Sequence, residues 1–198
     1  KRAAVVKTFA SVAENSKNLR ARLHAVWGLG QLHRRTSKTD GAENAPALLP
    51  VMKLASDPEV EVRVQALNVL GESKADGMSV LAAVALRDVE PRVRAAALMS
   101  MARIGKGNLI EPATEAIGIK AVLEENADRD QIVRHAAVMA LANCANDAAL
   151  ARLAKDESRS VRLAALLAYA RLNRKEVAGF LSDADPAIVR EAAYVIND

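Results

Sequence analysis

The side chains able to do chemistry in this 198-residue chain are few and scattered. Its three histidines, His24, His33 and His135, lie far apart, and none is followed by Glu, so the paired His-Glu spacing that holds a di-iron centre is lacking. A single cysteine, Cys144, rules out an internal disulfide and any multi-Cys metal site. It falls inside a helical pattern, VMALANC, and reads as a small buried thiol. Gly28-Leu29-Gly30 and Gly105-Lys106-Gly107 are fragments of no phosphate loop and are expected at helix ends, where Gly is a stop signal. Glu124 and Glu125 read as solvated helix-end charges, as do Glu59 and Glu61, which also suit a helix N-terminus. No catalytic, cofactor-binding or metal-binding residue is assigned, and no cofactor is expected.

What recurs is a pair of opposite charges. Arg occupies one slot at Arg22, Arg63, Arg94, Arg134, Arg162 and Arg190, at intervals of 41, 31, 40, 28 and 28 residues. Three residues on comes Ala25, Ala66, Ala97, Ala137, Ala165 and Ala193; six residues before comes Asp57, Asp88, Asp128 and Asp156. The first copy lacks the Asp, and the last offers Asp183 or Asp185 out of step. A self-similar period of this length marks a repeat array. On a helical wheel the +3, +4 and +7 positions lie within about 60° of the Arg, and they are apolar, so the Arg sits on the packed side. A charge there is costly unless paired. The Asp is therefore expected to cap its own helix and to accept from the Arg of an adjacent unit. The ladder would comprise Asp57, Arg63, Asp88, Arg94, Asp128, Arg134, Asp156, Arg162 and Arg190, with a structural role and no catalytic one.

The elements that position this ladder are helices. Half of the chain is apolar but only 3% is aromatic, so the core must be built from Ala, Leu and Val, and no alternating strand pattern is present. Residues 1–15 form one helix, and Asn18 caps the next, Leu19 to Leu32. A basic connection, His33 to Glu43, is the longest loop candidate. Asn44 caps a helix to about Ala55, bent by Pro50. Asp57-Pro58 opens the helix closed by Gly71; Asp76 opens a short helix to Arg87; Asp88 introduces the helix ended by Gly105. Leu109 to Asn126, Asp128 to Ala142, Asp147 to Ala154, Ser158 to Leu172, Arg174 to Leu181 and Pro186 to Ile196 complete six helix pairs. These make one repeat domain, 1–198, with units roughly 1–32, 44–71, 76–105, 109–143, 147–172 and 174–198. No pair can bury its apolar stripe alone, so stacking neighbours supplies the core.

The pattern D-x-x-x-x-V-R-x-x-A-x-x-x-L-G, clear at Asp57–Gly71 and recognisable at Asp88–Gly105, Asp128–Ala142 and Asp156–Ala170, resembles the HEAT repeat in its short bacterial, PBS-lyase-type form. The resemblance implies an all-α, right-handed α-solenoid of about six helix-pair repeats, with the Arg-bearing helices on the concave side. RARLHAVWGLGQL and IVREAAYVIND more narrowly resemble the HEAT segment of large secreted bacterial proteins. Those carry a dehydrogenase-like β-propeller before the repeats and a c-type cytochrome module after them. The C-x-x-C-H haem motif of that module is not present here, and any redox chemistry would belong to other domains of a parent. The start at Lys1 suggests an excised or processed fragment. That relationship implies a periplasmic or secreted location; without it the location is cytoplasmic.

Positions −2, +2, +5 and +9 from each Arg gather on the opposite side of the wheel and vary between copies, as a binding face on a repeating scaffold would. They are Arg20, His24, Trp27 and Gln31 in the first copy; Glu61, Gln65, Asn68 and Glu72 in the second; Arg92, Ala96, Met99 and Arg103 in the third. The fourth gives Ile132, Ala136, Met139 and Asn143, the fifth Ser160, Ala164, Leu167 and Arg171. Trp27, the one Trp, is the first choice for a contact anchor, although a Trp can also pack against the neighbouring unit. Residues 1–40 carry nine Lys and Arg against two acids, which suits an acidic surface or a phosphate backbone, with a solvated end that meets the preceding domain of a parent as the favoured reading. The expected function is a non-enzymatic scaffold holding a protein partner, or neighbouring domains of its parent, on the concave face. The competing class is a HEAT-like DNA glycosylase or other DNA binder, disfavoured because the face has one aromatic and includes Glu61 and Glu72. No apolar run approaches the ~20 residues of a membrane span.

Overall fold

The structure, a computed structural model, describes residues 2–40, 46–74, 85–105 and 112–197. All regular structure among them is helical. The chain divides into two compact units, Lys1–Ile110 and Glu111–Asp198.

The first unit contains α1 (Arg2–Asn15), α2 (Leu19–Asp40), α3 (Leu48–Leu54), α4 (Val60–Ser73) and α5 (Pro91–Ile104). Asn18 starts α2 by accepting from the Ala21 N–H at 3.2 Å. α1 packs on α2, α2 on α4, and α4 on α3 and α5. Ala25, Val26, Leu29, Val51, Val62, Ala66, Val69 and Leu70 are buried between them. The interior is made of small side chains, and three glycines set how closely the helices approach. Added Cβ atoms would lie 3.0 Å from the Phe9 ring at Gly28, 2.8 Å from Val69 Cγ1 at Gly30 and 2.7 Å from Ser100 Cα at Gly71. Ser100 Oγ lies 2.6 Å from Leu67 O and 2.8 Å from Ala96 O, so one hydroxyl proton ties α5 to both α4 and its own turn.

The second unit contains α6 (Pro112–Asn126), α7 (Gln131–Cys144), α8 (Asp147–Leu153), α9 (Arg159–Arg171), a 3-10 segment (Lys175–Ser182) and α10 (Pro186–Asn197). Ile119, Leu123, Leu141, Leu150, Leu166 and Ile188 are its largest fully buried side chains. Tyr169 and Phe180 meet with ring centroids 6.3 Å apart and planes tilted by 59°. Asp130 caps α7 and Asn146 caps α8 through their carboxylate and amide oxygens. Ser160 Oγ donates to Leu123 O at 2.9 Å, binding α9 to α6 as Ser100 binds α5 to α4. Cys144 is buried.

Each recurring Asp stands three residues ahead of its helix. Oδ1 of Asp57, Asp88, Asp156 and Asp183 accepts the N–H two residues on, at 2.8–2.9 Å, and so folds a tight turn rather than capping the helix itself. The Arg then reaches back to that turn. Arg63 Nη1 donates to Asp57 O at 2.8 Å and Pro58 O at 3.1 Å; Arg94 does the same to Asp88 O and Val89 O, and Arg162 to Asp156 O and Glu157 O. With its remaining donors the guanidinium grips the next turn along. Arg63 is bidentate to Asp88 at 2.8 and 3.0 Å, Arg162 is bidentate to Asp183 at 2.8 and 3.0 Å, and Arg22 pairs with Asp57.

Three members of the expected ladder depart from it. Arg134 turns to Asp128 of its own copy, whose other oxygen faces Arg159 at 3.3 Å. Asp156 takes the Lys120 ammonium at 2.6 Å instead of a guanidinium. Arg190 is exposed, because α10 buries Ile188 and Ala192 on its opposite flank. Of the two out-of-step acids, Asp183 fills the ladder slot and Asp185 pairs with Arg159 at 2.7 Å.

Other boundaries also differ from expectation. His33 to Asp40 continue α2, with His33 buried and Arg34 paired to Glu72, so the basic stretch is helix and not loop up to residue 40. Gly28 and Gly30 lie inside α2, and Gly71 inside α4, as close-packing positions rather than stops; α4 ends at Lys74 with φ of 50°. Gly105, with φ of 73°, does end α5. Pro50 sits in the first turn of α3, where its missing N–H breaks no bond. The expected caps Asn44 and Asp76, and Leu109, lie outside the described residues.

Three substitutions test these contacts. Gly71→Ala is expected to lower stability by about 1–2 kcal/mol, because overpacking against the Ser100 backbone outweighs the gain of roughly 1 kcal/mol in helix propensity. Asp88→Ala, which strands the Arg63 guanidinium with its side chain 11% exposed, is expected to cost about 2–4 kcal/mol. Asp128→Ala, in a more open pair, should cost less than half of that; urea unfolding of the three variants measures all of it.

Candidate functional site

The residues set aside for binding in the first three copies fall in matching rows on α2, α4 and α5. Arg20, His24 and Trp27 are exposed and Gln31 is half-buried on α2. On α4, Glu61, Gln65 and Asn68 are half-buried, and Glu72 is exposed. On α5, Arg92 is exposed, Met99 and Arg103 are half-buried, and Ala96 is buried. Trp27 is 51% exposed, so the packed alternative for its ring does not hold.

The rows are stitched together by polar contacts between helices. Arg92 is bidentate to Glu61, with Nη2 to Oε2 at 3.2 Å. Arg103 Nη1 donates to Asn68 Oδ1 at 3.1 Å. Arg34, one turn beyond Gln31, pairs with Glu72. A hollow of about 410 Å³ opens between α2 and α4, lined by Arg20, Leu23, His24, Trp27 and Gln65. Sequence reasoning missed Arg34 and Leu23. The rhythm 20, 24, 27, 31, 34 would have found Arg34 had α2 been extended through the basic stretch.

In the second unit the corresponding positions give less surface. Ala136, Ser160 and Ala164 are buried, which corrects their assignment to an open face; small residues there allow α6, α7 and α9 to close on one another. Ile132 is exposed, and so are Asn143 and Arg171. His135 is exposed too. A separate hollow of about 570 Å³ lies over the Arg162–Asp183 pair, lined by Lys155, Tyr169, Glu176, Gly179 and Phe180 among others. Several ionisable groups of this unit are held by their neighbours. The Arg162 guanidinium beside Asp183 holds that carboxyl below the usual range, and is itself raised by it. Burial pushes the Asp156 carboxyl up, but the Lys120 ammonium and the Ser158 N–H outweigh it and the net direction is down. Lys120 is raised by Asp156 and then Glu124, and burial raises the Tyr169 phenol. Among the described residues no group of three His, Cys, Asp or Glu side chains is placed to hold a metal ion, and no helix is long and apolar enough to cross a membrane.

Comparison with known proteins agrees with this architecture. Residues 119–197 match the family described as HEAT repeats. Over the full chain the fold is that of solved helical-repeat proteins. A designed armadillo repeat protein is similar at 19% identity, with 100% of this chain and 99% of that one covered and a TM-score of 0.57. A second designed armadillo repeat protein, solved in complex with the peptide (KR)4, gives 18% identity, 98% and 97% coverage and a TM-score of 0.53. An archaeal HEAT-like repeats protein from Thermococcus onnurineus NA1 gives 15% identity, 100% and 79% coverage and a TM-score of 0.57. No curated protein matches the chain. The narrower likeness to propeller- and cytochrome-bearing proteins is not among these findings.

The paired carboxylates fix the acid side of the stability profile. A carboxyl whose folded pKa lies below its unfolded value binds its proton more readily in the unfolded chain. Asp183 and Asp156 therefore stabilise the second unit fully above about pH 4, and that contribution is lost as pH falls through their folded values. Thermal melts at pH 7 and pH 3 should show a smaller gap for Asp183→Asn than for the unaltered chain.

Proposed function

In a chain with HEAT repeats over residues 119–197 and a helical-repeat fold throughout, we propose a non-enzymatic scaffold that binds a protein or peptide partner on the α2–α4–α5 face of the first unit. The observation that carries this reading is Trp27: a large ring left half exposed beside a hollow. Tryptophan in such a setting is a typical anchor of interface energy. The charged groups around it are tied across helices by Arg92–Glu61, Arg103–Asn68 and Arg34–Glu72, so the face is pre-ordered and loses little freedom on binding. The same fold holds a peptide in the designed armadillo complex. A DNA-processing role has less behind it, since Glu61 and Glu72 interrupt any basic track across the face. The remaining candidates of the face, Arg20, His24, Gln31, Asn68, Met99 and Arg103, act here as rim and shape around the anchor.

Affinity capture from a lysate of the source organism tests this. Trp27→Ala is expected to reduce retention of a captured protein by at least tenfold. Val89→Ala, which trims an 84% exposed side chain in the turn before α5, should leave it unchanged. Equal retention by all three forms would refute the assignment of the face.

A further inference from the structure

The charge left over on this face says what sort of partner it takes. Its two carboxylates among the described residues, Glu61 and Glu72, are both engaged, by Arg92 and by Arg34. Four guanidinium groups stand on the same rows: Arg20, Arg34, Arg92 and Arg103. Two are thus surplus. Arg103 is turned inward onto the neutral Asn68 amide, and Arg20 is exposed, making no ion pair among the described residues. Arg20 lines the hollow together with the half-buried Leu23 and the exposed Trp27. The wider field has the same sign. The first unit carries 17 Lys and Arg against 10 Asp and Glu, net +7, while the second carries 11 against 14, net −3.

We infer that the face binds an acidic segment of a protein, with one large apolar side chain seated in the hollow between Leu23 and Trp27 and flanking carboxylates on Arg20 and Arg103. The inference rests on the scaffold reading above and adds the partner's chemistry to it. A peptide of the (KR)4 type, held by the designed armadillo protein, would meet surplus positive charge here. A nucleic-acid duplex brings a phosphate about every 1.7 Å and would lay charge against Glu61 and Glu72 as well. Carboxylates grouped about a single apolar residue avoid both.

Trp27 is the chain's one tryptophan, so its fluorescence reports the hollow directly. The probes are the heptapeptides DEDLDED and DEDADED, the octapeptide (KR)4 and a twelve-base-pair DNA duplex. DEDLDED is expected to shift the emission saturably, and to bind at least fivefold tighter than DEDADED. Its affinity should fall at least tenfold in Arg20→Glu and severalfold in Arg20→Ala, with thermal melts of both variants unchanged, and should weaken between 50 and 300 mM salt. The inference is overturned if (KR)4 or the duplex binds as tightly, if DEDADED matches DEDLDED, if Arg20→Glu binds normally, or if DEDLDED leaves the emission unmoved. Should captured protein still depend on Trp27 while DEDLDED fails, the partner chemistry is wrong and the face stands. Should capture not depend on Trp27, the face itself is wrong.

Discussion

One guanidinium group does two jobs in this fold, and the helices are arranged around it. Arg63 closes the turn that leads into its own helix by bonding two carbonyl oxygens there, and with its other edge it holds the carboxylate that shapes the next turn. Arg162 repeats the arrangement in the second unit. A lysine could not do this, because the work needs a planar fork with donors on two edges. At Arg63 and Arg162 the charge is tolerated near the core because Nε, Nη1 and Nη2 each meet an oxygen. Placing that pairing in the turns keeps it away from the opposite side of α2 and α4. Trp27, Gln65 and Asn68 stand on that opposite side.

Much of this was legible in the residues themselves. The Asp–Arg period gave the helical array, the packed side of these helices and the identity of Arg22, Arg63 and Arg94 as buried charges. The exceptions share a physical cause: the sequence shows which charge is present but not which opposite charge is nearer. Arg134 and Asp128 lie six residues apart and find each other across one turn, while Lys120, from the helix before, reaches Asp156 first. Arg190 kept the pattern's spelling but lies on the flank of α10 that is not buried. Only the packing of Ile188 and Ala192 decides that.

Which side of each helix stays open was legible in part for the same reason. A wheel centred on Arg gives the correct open side where side chains are long, as at Arg20, His24 and Trp27. It fails at Ala136, Ser160 and Ala164, where small residues let a neighbouring helix cover the position. The glycines misled in the opposite direction. Gly28, Gly30 and Gly71 carry the usual mark of a helix end, yet all three are interior positions where a second helix needs the room. Nothing local in the sequence separates those two uses, because both exploit the missing side chain.

Those interior glycines also act as a ruler. With Gly30 against Val69 and Gly71 against Ser100, the lateral interval from α2 to α4 and from α4 to α5 is fixed by bare backbone. The spacing of Trp27, Asn68 and Arg103 across the surface is the same interval seen from outside. Specificity on such a surface is then metered in the interior: a bulkier residue at Gly30 would respace the rows, like teeth of a comb moved apart, and a ligand cut to the old pitch would lose its register without any contacting residue having changed.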